Sequence, residues 1–83
     1  MNQTDDDKLA IQLYLLHRVN DSYIAVMKQI FAAGVAGAEV LAVCKQVDET
    51  LQLAVNERDP VKVEQLSLFV LNKTEEIGLL ALS

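Results

Sequence analysis

Residues 5–33 read DDDKLAIQLYLLHRVNDSYIAVMKQIFAA, twenty-nine positions without a proline or a glycine. Leu9, Leu13, Leu16, Asn20, Tyr23, Met27 and Ile30 recur in this run at alternating spacings of four and three. Side chains at that spacing fall on one stripe of an α-helix, the seam through which helices pack together. Leu15, Val19 and Val26 widen the stripe to nearly half the circumference. Thr4 just before the run is a good N-cap, and Asp5, Asp6 and Asp7 put negative charge where the helix dipole favours it. The stretch predicts a single helix over 5–33, about 43 Å long at the standard rise per residue.

The next punctuation is Gly34 and Gly37, within AAGVAGA at 32–38. Gly34 suits the left-handed conformation that ends a helix. Because no strong N-cap follows, a kinked continuation is the alternative to a turn. A second helix is expected over about 36–57, with Ala36, Val40, Val43, Val47, Leu51 and Ala54 on one face and Cys44 beside them. Lys45, Gln46, Asp48, Glu49, Gln52 and Asn56 take the opposite side, an amphipathic pattern. Valines are poor intrinsic helix formers, so packing has to hold this segment.

Arg58-Asp59-Pro60 marks the third start: Asp59 caps, and Pro60 sits at the first helical position, where its missing N–H does no harm. The third helix is expected over 60–80. Val63, Leu66, Val70, Ile77 and Ala81 form its inner face, and Val61, Leu68, Leu71, Leu79 and Leu82 lie on a different side. Short connections make consecutive helices antiparallel neighbours. The expected fold is therefore all-α, one domain over residues 1–83, a three-helix antiparallel bundle with a long first helix.

Composition sharpens this. Of 83 residues 52% are hydrophobic and 5% aromatic, and the mean hydropathy is +0.23. A core this small rarely supplies more than about 3–5 kcal/mol net, and it cannot enclose all that apolar surface. A homodimer that completes its core across the interface is the expected resolution. Helix three burying two sides between its neighbours, or a groove for a foreign partner, would absorb the same excess.

The net charge is −5, and the seven Lys and Arg residues are scattered along the chain. That argues against nucleic acid and against an anionic membrane. The weakly polar run 30–44 is broken by Glu39 and is too short to span a bilayer. The polar, acidic segment 1–7 is the reverse of a signal peptide, and the lone Cys44 permits no intrachain disulfide, so a cytoplasmic setting is expected. Three matches to the glycosylation triplet, at 2–4, 20–22 and 72–74, are read as chance.

Chemistry finds few residues to work with. His17 and Cys44, each the only one of its kind, lie too far apart along a hairpin to pair. One Cys and one His cannot build a zinc site, and there is no Glu-x-x-His, calcium loop or phosphate loop. Asp48-Glu49 and Glu75-Glu76 are sequence neighbours, so they diverge by about 100° around their helices. No catalytic residue, cofactor or metal ligand is expected, and Cys44 reads as a small buried hydrophobe.

What remains is apolar surface. Ile11 and Tyr14 point away from the heptad face of helix one, and helix three carries Leu68 and Leu71 before a tail that ends in Leu79, Leu80 and Leu82. These seven residues are the expected partner or dimer interface. The expected function is a non-enzymatic regulator or inhibitor that binds a larger protein. The alternative is a chaperone masking an apolar helix of a secreted or assembling client. Small acidic helical dimers serve both roles in bacteria and phages, an analogy at the level of fold only.

Overall fold

A computed structural model describes residues 4–82. Three helices carry nearly all of them: α1 Asp5–Ala33, α2 Ala38–Val55 and α3 Pro60–Leu82.

Each boundary has a local cause. Thr4 Oγ1 accepts from the Asp7 N–H at 3.1 Å and Asp7 Oδ2 accepts from the Thr4 N–H at 3.4 Å, a capping box that satisfies two first-turn donors. At the other end Gly34 adopts φ 72°, ψ 23°. Its N–H donates to the Phe31 carbonyl and that of Val35 to the Ile30 carbonyl, at 3.1 and 3.3 Å. That pair of bonds is a Schellman ending, and it requires a residue that tolerates positive φ. The first helix therefore ends at Gly34, and no kinked continuation forms.

The second helix is shorter than the sequence suggests, Ala38–Val55 against 36–57. Gly37 at its N-cap has no side chain with which to cap, so Ala36 stays in the connector, though it still packs on the core. At the far end Glu57 leaves the helix, and its Oε1 accepts from the N–H groups of Arg58 and Asp59, both at 3.1 Å. Asp59 Oδ1 then accepts from the Val61 N–H at 3.0 Å and caps α3. Asp59→Ala removes that acceptor and should cost about 0.5–2 kcal/mol. The measurement is a urea melt of the variant beside wild type. An unchanged midpoint would mean that Pro60 alone sets the helix start.

The packing centres on α3. Val63, Val70 and Ile77 are fully buried and lie seven residues apart, with Ser67 and Thr74 buried between them. Both hydroxyls donate to the carbonyl four residues earlier, Ser67 to Val63 at 3.0 Å and Thr74 to Val70 at 2.8 Å. Burial therefore leaves neither hydroxyl unpaired. Small residues on this seam let both other helices come close to α3. By contrast, no Cα of α1 lies within 8 Å of a Cα of α2. Consecutive connection makes α1 and α2 neighbours in the chain, but side chains alone bridge them.

Two apolar clusters fix the levels of the helices. Leu16, Ala54 and Val63 form one, joined by Leu9, Leu13, Leu51 and Leu66. The other gathers Tyr23, Met27, Ile30, Val40, Val43, Val47, Val70 and Ile77. Val63 thus falls in the cluster of Leu16, and Ile77 in that of Ile30. The result is a narrow rod, 49 × 19 × 16 Å with a radius of gyration of 14.3 Å, where a compact chain of this length would have about 12 Å. No helix is long and apolar enough to cross a membrane.

Candidate functional site

A rod of three helices has grooves between its ridges, and here the wall residues decide what each groove can hold. One lies between α1 and α2, where the backbones stand apart. Its main hollow, about 670 Å³, is lined by Tyr23, Ile24, Met27 and Phe31 of α1 and by Leu41 and Cys44 of α2, with Lys28, Lys45 and Asp48 at the rim. A second hollow continues it toward the other end of the rod, between Leu13, Leu16, His17 and Asn20 and the facing Leu51, Ala54 and Val55. Phe31, Leu41 and Ile24 are exposed at 56%, 48% and 42%, so the lining is open to water.

The floor of this groove is held by sulfur and phenol contacts. Cys44 Sγ donates to Met27 Sδ at 3.3 Å. Tyr23 lies beside them, and burial first, then its hydrogen bond to Cys44 and the nearby Asp48, push its phenol above the ordinary range. The phenol is therefore neutral at physiological pH. The sequence suggests a buried Cys44; the thiol is half-buried and lines the groove. His17, on the upper wall, is exposed and pairs with Asp21 at 3.7 Å along the same helix, a contact of small worth in water.

A second groove runs between α1 and α3 on another side of the rod. Gln12, Leu15, Arg18 and Val19 face Glu64, Ser67, Leu68 and Leu71 in one hollow of about 300 Å³. Val26, Gln29, Ile30, Ala33 and Val35 face Gly78, Ala81 and Leu82 in another of about 340 Å³. Leu15, assigned by its spacing to the packing seam, is 45% exposed and belongs to this groove wall.

The seven residues singled out from sequence separate in space. Leu68, Leu71 and Leu82 line the α1/α3 groove. Ile11, Tyr14 and Leu79 are exposed, Tyr14 lying beneath the Arg18 guanidinium and accepting a hydrogen bond from it at 3.0 Å. Leu80 differs from the rest: it is half-buried and packs on the larger core cluster. The residues that sequence reasoning missed are Ile24, Phe31 and Leu41. They stand one helical step off the buried seam, and only the separation of α1 from α2 turns them into walls.

Among the described residues no three His, Cys, Asp or Glu side chains gather as a metal site. No buried side-chain polar atom there lacks a partner. The concave surface is apolar with charges on its rim, an arrangement suited to holding a nonpolar side chain. Comparison with protein-family models, with curated proteins and with solved structures finds no match to this chain.

Proposed function

We propose that this chain acts by binding another protein and not by catalysis: a cytoplasmic regulator or inhibitor, built as an antiparallel three-helix bundle that pairs into a homodimer. The observation that carries the reading is the groove between α1 and α2. Its Cα atoms stand more than 8 Å apart across the two helices, and its lining is mostly apolar, interrupted by His17, Asn20 and Lys28 on one wall and by Lys45 and Asp48 on the other. A helix of a larger protein, with apolar residues at i, i+3 or i+4, and i+7, fits such a channel. The charges of Lys28, Lys45 and Asp48 along the rim would set its register.

Surface statistics support the same reading. Among the described residues fifteen large hydrophobics are exposed, Ile24, Phe31, Leu41 and Val55 of the channel walls among them. Exposure on that scale marks interaction surfaces. The openness of the α1/α2 channel also favours the second reading, a chaperone that shields an apolar helix of a secreted or assembling client.

Cross-linking in the native host, with the attached protein identified by mass, tests the proposal. The wild-type chain and the pair Phe31→Asp with Leu41→Asp are compared at equal expression. The expected result is one dominant cross-linked protein, reduced at least about tenfold in the variant, since two exposed apolar side chains that the partner would cover are each replaced by a charge. A captured protein indifferent to the variant would move the binding surface elsewhere. Partners specific to newly made chains would favour the chaperone reading.

A further inference from the structure

Three observations bear on what the α1/α3 groove holds. The accessible surface of the chain is 5796 Å², where a folded monomer of this mass exposes about 4,900 Å². The excess, about 900 Å², belongs to the whole elongated rod, and covering one of its faces would remove the ~800 Å² that each partner contributes to a standard interface.

The second feature is Gly78. It stands inside α3, where glycine is the poorest residue after proline, and a Cβ there would meet nothing within 4 Å. No contact among the described residues requires a glycine there. Gly78 opens onto the α1/α3 groove beside Ala33 and Ala81, where a missing side chain admits a second backbone from outside.

The third is charge. The charged residues lining this groove are Arg18 on the α1 wall and Glu64 on the α3 wall. Among the described residues neither has an ion-pair partner within the chain, and Arg18 rests on Tyr14. Both line the same hollow, so Arg18 and Glu64 stand within one stretch of the groove.

We propose that the α1/α3 face seats a second copy of this chain about a twofold axis running along the rod, so that Arg18 of each copy meets Glu64 of the other. This orientation keeps every residue at its own height and lays α1 against α3 of the second copy, basic wall to acidic wall. A twofold across the rod would instead lay α1 on α1 and α3 on α3, like charge on like. Leu68 and Leu71 are covered at the centre of one end, Gly78 and Leu82 at the other, and the α1/α2 channel stays open in each copy. The inference rests on the homodimer reading above and names its face and symmetry.

Sedimentation equilibrium over a wide concentration range tests it, with circular dichroism on the same samples to verify helicity. Wild type should sediment at twice the chain mass of 9.2 kDa. Leu68→Asp with Leu71→Asp should weaken dimerisation at least about a hundredfold, burying two charges per copy. Gly78→Leu, which fills the groove from within while improving helix propensity, should weaken it about tenfold. Arg18→Glu and Glu64→Arg should each weaken it about three- to tenfold, and the double reversal should return it to within about twofold of wild type. A wild-type chain that stays monomeric would overturn the homodimer reading and this face together. A dimer indifferent to the Leu68, Leu71 and Gly78 variants but dissociated by Phe31→Asp with Leu41→Asp would keep the homodimer and overturn this face. Charge reversals that add and do not cancel would overturn the twofold.

Discussion

Ile77→Ala should lower the stability of this protein by about 2–5 kcal/mol and its melting temperature by at least about 10 °C. Ile77 is the largest fully buried side chain on the seam of α3 and belongs to the cluster that joins all three helices near one end of the rod. Its truncation removes apolar contact and leaves a space that Val70, Ile30 and Val40 cannot all close upon. Loss on that scale approaches the whole net stability of a domain this small. Ile24→Ala is the matched control, because the same side chain at 42% exposure has little contact to lose. Urea melts at one fixed protein concentration measure both, because the proposed dimerisation would make apparent stability depend on concentration. Equal costs for the two variants would mean that α3 is not the helix about which the others pack.

That asymmetry between α3 and its neighbours is where sequence and structure part. Boundaries were legible wherever a residue type had one physical use. Thr4 and Asp59 are caps, Pro60 is a first-turn residue, and Gly34 takes the left-handed turn. Periodicity likewise identified Val63, Val70 and Ile77 as inward, because a fixed seven-residue recurrence selects one side of a helix. What period cannot give is the distance between two helices. The sequence treats Leu15 and Leu16 as one broad stripe, yet Leu16 is buried and Leu15 forms a groove wall. Whether a residue at the margin of a stripe is core or surface depends on how closely the next helix approaches. Around α3 the approach is close because Ser67 and Thr74 are small. Between α1 and α2 it is wide because Tyr23, Met27 and Cys44 intervene. The walls of that channel, Phe31 and Leu41 among them, were therefore invisible until helix spacing was known. Ala36 and Glu57 show the same limit at helix ends: each continues the pattern of its helix but lies in a connector, where Gly37 offers no cap and Glu57 caps the following turn instead.

The three leucines at the end of α3 should give three different outcomes when each is replaced by Asp. Successive residues turn by 100° around a helix, so Leu79, Leu80 and Leu82 meet three environments within one turn. Leu80 packs on the larger core cluster. A carboxylate there exchanges water for the apolar cluster, and Leu80→Asp should cost about 2–3 kcal/mol. Helicity and melting temperature should fall together. Leu79 is 70% exposed, and Leu79→Asp should stay within about 0.5 kcal/mol of wild type in stability. Leu82 is 87% exposed yet lines the α1/α3 groove, so Leu82→Asp should leave the fold intact and weaken self-association. Circular dichroism melts and sedimentation on each single variant separate the three. The sharpest comparison is Leu80 against Leu79, two identical side chains one position apart. If both charges prove equally tolerated, the last turn of α3 frays from the bundle and the core ends at Ile77. If Leu79→Asp alone abolishes self-association, the interface of the proposed dimer lies around the outer side of α3 and not in the α1/α3 groove.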